Sequence, residues 1–187
     1  MIEKMIVDAD LCIKLGSHAK YSFLYDVLPK VAHKIYIHAY ARNEVLMPFC
    51  AVKQLEKLIT EDKIELVSED SMNMYDRAVY KAAYEKLATV MIDPYRPNKN
   101  KGEVCSLAYA KATGIPVFAT DEAYLQPIID SQLNTGIDDI ICLRIIDIVH
   151  MAREGDLDIS RKVAKALWAI AGKKKEIFDE KIWPLKV

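Results

Sequence analysis

The stretch Lys101 to Glu122, "KGEVCSLAYAKATGIPVFATDE", decides the fold class. Gly102-Glu103 opens a helix that runs to about Thr113, and Gly114 stands where a helix terminates, because glycine enters the left-handed cap conformation without a Cβ penalty. Pro116 to Ala119 then reads as a short apolar strand, and Thr120-Asp121-Glu122 ends it. A helix joined to a buried strand through a two- or three-residue connection is the repeating unit of an α/β fold.

The same unit recurs on both sides of that stretch. Upstream, Met5 to Val7 is a short apolar run that ends at acids, and Lys34 to His38 ("KIYIH") and Ile64 to Val67 read as further strands. Between them, Tyr21, Phe23, Leu24, Val27 and Leu28 fall at helical spacing. From Arg42 to about Leu58 the apolar positions Val45, Leu46, Phe49, Val52, Leu55 and Leu58 mark one face of a single helix. Asp70 or Ser71 is expected to cap the next helix, whose stripe runs from Met74 to Val90. The segment Asp93 to Lys101, with two prolines, two asparagines and the basic residues Arg96, Lys99 and Lys101, is a loop. Downstream come a helix through Leu133 and a strand at Ile140 to Arg144. The expected architecture is therefore a three-layer α/β/α sandwich around a mostly parallel sheet, with residues 1–149 as its domain. Residues 150–187, including the Val163 to Ile170 stripe and the tail with Phe178 and Trp183, form a helical extension that docks on the same body.

Composition bounds the function. The chain has 187 residues, 52% of them hydrophobic, and a formal net charge of -1. That is enough to bury one proper core, and nothing global attracts the protein to nucleic acid or to an anionic membrane. Any such partner must be held by a local patch. The four cysteines, Cys12, Cys50, Cys105 and Cys142, form no Cys-x-x-Cys pair and have no histidine at zinc spacing. A disulfide framework and a zinc site are both unexpected. No apolar run approaches the roughly 20 residues that span a bilayer, and the first residues lack a secretory leader, so a cytoplasmic, soluble protein is expected.

Residues just past the carboxyl ends of parallel strands face one crevice. Asp8 and Asp10 follow the first strand, and Asp121 and Glu122 follow the strand at Pro116 to Ala119. Glu103, in the first turn of the preceding helix, reaches the same place if those two strands are neighbours. Glu44 is expected in the first turn of the helix after the second strand. Two carboxylates ~4 Å apart repel by roughly 4 kcal/mol at an effective dielectric of about 20, so such a cluster needs protons or a cation. Oxygen donors alone favour Mg²⁺ or Mn²⁺ over zinc. Each acid also has a purely structural explanation: a first-turn acid for Glu44 and Glu103, a helix cap for Asp121, a turn residue for Asp8. The coincidence of several strand ends carrying acids is the more specific signal.

The pieces "IVDAD" (Ile6 to Asp10), "YARNEVL" (Tyr40 to Leu46) and "KGEVCSLAYAKATGIPVFATDE", set in this alternation, resemble a PIN domain, the fold of many metal-dependent ribonucleases, including the toxins of toxin–antitoxin pairs. The resemblance covers about residues 4 to 149 and is most specific at Gly102, Glu103, Thr120 and Asp121. It departs at Ala9, which lacks the usual hydroxyl, and at Asp10, an acid where an amide or hydroxyl is usual. It implies Asp8, Glu103 and Asp121 as ligands of Mg²⁺ or Mn²⁺, with Asp10 and Glu122 as further candidates. Glu44 would orient a water or hold a second ion. It further implies an RNA substrate cut to 5′-phosphate and 3′-hydroxyl ends, an antitoxin partner and a homodimer. Tyr95, Arg96, Lys99 and Lys101, immediately before Glu103, are candidates to hold the RNA backbone and stack a base, with Thr120 beside them. Two rival readings stay open. "IVDAD" also satisfies the hydrophobic-Asp-x-Asp signature of haloacid dehalogenase-type phosphatases, in which Asp8 would be the nucleophile and Asp10 the general acid. A catalytically silent module that binds RNA or protein is the third.

Overall fold

The computed structural model of the chain describes residues 1–18 and 20–184. Five strands, β1 (Ile2–Val7), β2 (Ala32–His38), β3 (Glu65–Val67), β4 (Val117–Ala119) and β5 (Ile141–Leu143), form one sheet in the order β3-β2-β1-β4-β5. Every pairing is parallel, with Met5 opposite Ile35, Ile6 opposite Phe118, Ile37 opposite Leu66 and Phe118 opposite Cys142. The central strand is buried on both faces, so its apolar run is continuous rather than alternating.

Successive side chains of β1 feed two separate cores. Met5 and Val7 point into the larger one, which α1 (Ala9–Gly16), α2 (Phe23–Val31), α4 (Phe49–Thr60), α8 (Ile145–Glu154) and α9 (Arg161–Ile170) close. Ile6 and Phe118 point into the other, closed by α5 (Met74–Met91), α6 (Lys101–Thr113) and α7 (Leu125–Gln132). The result is the expected three-layer sandwich. Gly114 ends α6 at φ 64°, the left-handed cap read from the sequence. Among the described residues, no helix is long and apolar enough to cross a membrane.

Three local expectations are corrected. The helix expected from Arg42 to Leu58 is two helices, α3 (Ala39–Glu44) and α4, because Pro48 disfavours helical geometry at the residue before it and becomes the cap of α4. Glu44 accordingly closes the last turn of α3 instead of opening a helix, since His38 starts that helix early by accepting from the Tyr40 amide. The cap of α5 is Asn73, whose side chain accepts from Tyr75 and Asp76, while Asp70 and Ser71 lie in a preceding 3-10 turn. The line drawn at residue 149 falls inside α8, and Phe178 of the tail sits in the same core as Met5 and Val7.

The β5 edge is sealed from within. The Gln126 amide accepts from Cys142 N and donates to the Ile140 carbonyl, and Asn134 bonds both the amide and the carbonyl of Ile140. Two side-chain amides thus take the hydrogen bonds that a sixth strand would make, which protects the edge against pairing.

Candidate metal centre at the carboxyl edge of the sheet

The sheet order places β1 and β4 side by side while the chain leaves them toward opposite edges, and this is the point at which open α/β sheets form a crevice. Asp8 follows β1 directly. It is 1% exposed, its Oδ1 caps α1 by accepting from Ala9 N at 2.8 Å, and its Oδ2 accepts from the Thr120 hydroxyl at 3.3 Å. That hydroxyl in turn accepts from Glu122 N at 3.3 Å, so one buried threonine ties the end of β1 to the turn after β4. Thr120, expected at the substrate, is fully buried and spends its hydroxyl on Asp8.

Glu103 and Glu44 reach the crevice from the other side. Asn100, at φ 61°, turns the chain into α6 and donates its side-chain amide to the Met91 carbonyl, which fixes where the first turn of α6 begins. Glu44 lies against that turn and accepts from Gly102 N at 3.1 Å. A Cβ on Gly102 would stand 2.6 Å from Glu44 Oε2, so only glycine lets the carboxylate lie there. Gly102→Ala is expected to destabilise the protein by about 1 kcal/mol through the displaced, charge-assisted bond. Urea unfolding in a Glu44→Ala background checks this: the cost of Gly102→Ala should vanish there, because the clash is gone.

The electrostatics follow from this crowding. Burial, then the Glu103 charge, with smaller contributions from Asp10 and Glu44, push the Asp8 carboxyl up to about 8, against the pull of the Ala9 amide. Burial raises Glu103 as well, with Glu122 and Asp10 adding to the effect and its own amide and Lys99 opposing it. Glu44 is raised by burial and by Glu103. The Tyr124 hydroxyl at the rim is held up by burial and by Glu103, Glu122, Asp8 and Asp10. Asp8, Asp10, Glu44, Glu103 and Glu122 therefore share one electrostatic neighbourhood.

Asp121 is not among the charges that bear on Asp8, Glu44, Glu103 or Tyr124. Its Oδ2 accepts from Lys14 Nζ at 3.1 Å, and the same ammonium lies 2.8 Å from Asp10 Oδ2. Between the two candidates for the last acid, Glu122 is the one whose charge bears on Glu103, and Asp121 is ion-paired. Of the expected cations, Lys99 reaches Glu103 electrostatically, whereas Lys101 packs its ammonium 4.3 Å over the Tyr40 ring. Arg96 and Tyr95 lie exposed in the preceding loop, with Tyr95 94% exposed. A groove of ≈ 840 Å³ runs from Glu122 along β5, but its acids Asp130, Asp139 and Asp147 all accept local hydrogen bonds.

Sequence reading missed Lys14, Tyr124 and His38. The Asp10–Lys14 spacing of four residues in a helix was the available signal for the first. Tyr124 follows Asp121 by three residues and lies just ahead of α7. His38, fully buried at the end of β2, stacks between Tyr40 and Tyr80 with its Nε2 3.2 Å from Glu69 Oε2. Burial holds its pKa down against the pull of Glu69.

The donor set suits a hard divalent ion. Its atoms are all oxygens, and one of them, Glu103 Oε2, is buried with no hydrogen-bond partner, unlike the acids of the neighbouring groove. Among the described residues, no three Asp, Glu, His or Cys side chains already converge as a metal cage. Comparison of the chain with family models, with curated proteins and with solved structures gives no match.

Proposed function

We propose that the protein is a Mg²⁺- or Mn²⁺-dependent endoribonuclease, a hydrolase of RNA phosphodiester bonds, working in the cytoplasm as the toxin of a toxin–antitoxin pair. The observation that carries the reading is the buried, partnerless Glu103 oxygen at the β1/β4 crevice, where the Glu103 charge bears on the buried Asp8 carboxyl. Such a cluster gains from a cation more than an exposed one does, because the repulsion it relieves is less screened.

Asp8 and Glu103 would hold the ion, with Glu122 or Asp121 completing its protein ligands through water. When bound, a divalent ion lowers the pKa of a water and offsets charge that builds on the phosphate. Asp8 must give up its proton for the ion to bind, so binding is weaker in acid. Thr120 keeps Asp8 oriented throughout. Glu44, anchored on Gly102 N, would orient the attacking water. Lys99, Arg96 and Tyr95 would meet the RNA backbone and a base at the mouth of the crevice.

One observation weighs against the phosphatase alternative. Both Asp8 oxygens are engaged, one by the Ala9 amide and one by the Thr120 hydroxyl, and the side chain is 1% exposed. A divalent ion needs only a lone pair on such an oxygen, whereas attack on phosphorus needs room for a whole phosphate ester beside it, which a 1% exposed side chain does not offer.

The test is incubation of structured and single-stranded RNA with Mn²⁺, reading the product ends. Cleavage to 5′-phosphate and 3′-hydroxyl ends, abolished by chelation and by Glu103→Gln, is the expected result. RNA left intact at every Mn²⁺ concentration sinks the enzyme reading; retained RNA binding would then favour the silent module. Turnover of a phosphate monoester with trapping of label on Asp8 would favour the phosphatase.

A further inference from the structure

We propose that the Lys14 ammonium is a tethered second cation of the acidic site, so that the site takes a single divalent ion, on its Asp8–Glu103 side. This rests on the metal-dependent reading above and adds how many ions the site takes and which residue decides it.

The geometry is specific. Lys14 lies in the last turn of α1, one turn beyond Asp10, and its Nζ bridges Asp10 Oδ2 at 2.8 Å and Asp121 Oδ2 at 3.1 Å. Asp10 belongs to the helix that Asp8 caps, and Asp121 to the turn that Thr120 anchors. The ammonium therefore joins the two strand ends that flank Asp8. The Asp121 side chain is only 12% exposed, so its charge has been taken into the fold with Lys14 as its partner.

Sites that bind two divalent ions hold them about 3.5–4 Å apart, with carboxylates arrayed around both. Here the carboxylates divide into two groups. Among the described residues, Asp8, Glu44 and Glu103 have no ion-pair partner, and Glu103 Oε2 is buried without a hydrogen bond. Asp10 and Asp121 already share a cation that, unlike a free ion, does not dissociate. Asp10 borders both groups, but its Oδ2 already lies 2.8 Å from the Lys14 ammonium, so the carboxylates an entering ion meets without a cation are those of the first group. A neutral side chain at position 14 would free Asp10 and Asp121 and leave a second group of donors for another ion.

The experiment is Mn²⁺ titration of the intact protein without RNA, counting bound ions by loss of the free-ion signal in electron paramagnetic resonance. Wild type is expected to bind one ion. Lys14→Met and Lys14→Gln are expected to bind two, the second more weakly, and Lys14→Arg, which keeps the charge, one. The glutamine variant preserves a hydrogen-bonding side chain, so at least one neutral variant is read in a folded protein, with folding checked by circular dichroism. Two ions in wild type, or one ion in both folded neutral variants, overturns the role of Lys14 and leaves the metal reading standing. No ion bound by wild type overturns both.

Discussion

Asp8→Asn is expected to stabilise the metal-free protein at neutral pH by about 2–4 kcal/mol while lowering RNA cleavage by at least about a hundredfold. The stability half follows from linkage. The Asp8 carboxyl moves from its ordinary 3.8 to about 8 on folding, so between those values the folded protein holds a proton that the unfolded chain releases. The stabilisation is complete below about pH 4 and is lost as pH rises through 8, at ~1.4 kcal/mol per pH unit. Four such units set a ceiling, and relaxation of the neighbouring acids lowers it to the range given. Asparagine keeps the carbonyl oxygen that accepts from Ala9 and carries no charge to bury, so its protein should show a flatter dependence of Tm on pH. Thermal melts at pH 5 and pH 8 check it. A pH slope identical in the two proteins would mean that Asp8 is not the group responsible.

The catalytic half has the opposite sign for the same reason. A group that costs stability when charged binds a cation strongly, because the ion supplies the compensation that the fold withholds. Removing residues that merely support a metal ligand typically costs 10–100-fold, and a direct ligand lies at or beyond that limit. Mn²⁺ should therefore raise the Tm of wild type in proportion to ln(1 + [Mn²⁺]/Kd) and leave Asp8→Asn unmoved. Higher stability in the metal-free protein and loss of function would then trace to one carboxyl.

What the sequence disclosed, and what it hid, divides along a physical line. All five strands were legible because each is a short apolar run stopped by acids, turns or a glycine-flanked helix, and strand ends are local events. The approach of the two strand ends that carry Asp8 and Asp121 was legible only through the rule that parallel strands share a carboxyl edge, while the bond that ties them, from Thr120 to Asp8, was not. The break between α3 and α4 was hidden because the apolar period continues from Val45 through Leu58 across Pro48, so periodicity outvoted the proline. Lys14 was hidden for a different reason. Its partner Asp121 lies 107 residues away, and the four-residue spacing from Asp10 is one that solvated helix pairs share. Hydrophobic pattern specifies where elements lie; which charge meets which is decided only after they pack.

Phe178→Ala is expected to cost about 3–5 kcal/mol. The residue sits in the tail, where sequence pattern suggests an appendage, yet it is fully buried. Its ring lies 6.3 Å from Trp168 of α9 and 6.3 Å from Trp183, and the Arg161 guanidinium covers it at 5.3 Å. The tail is also fastened by polar contacts, since Arg161 bonds the Trp183 carbonyl and Asp179, and Lys165 pairs with Asp179. These salt bridges are partly exposed and screened by solvent, so the ring dominates the attachment. Because Phe178 shares its core with Met5 and Val7 of the central strand, the loss should fall on the whole domain. Urea unfolding should show a lower midpoint with an unchanged slope in one transition. A loss below about 1 kcal/mol, or a separate early transition, would make the tail a detachable arm. The single transition would instead mean that residues past α8 belong to the core on which β1, and with it the position of Asp8, depends.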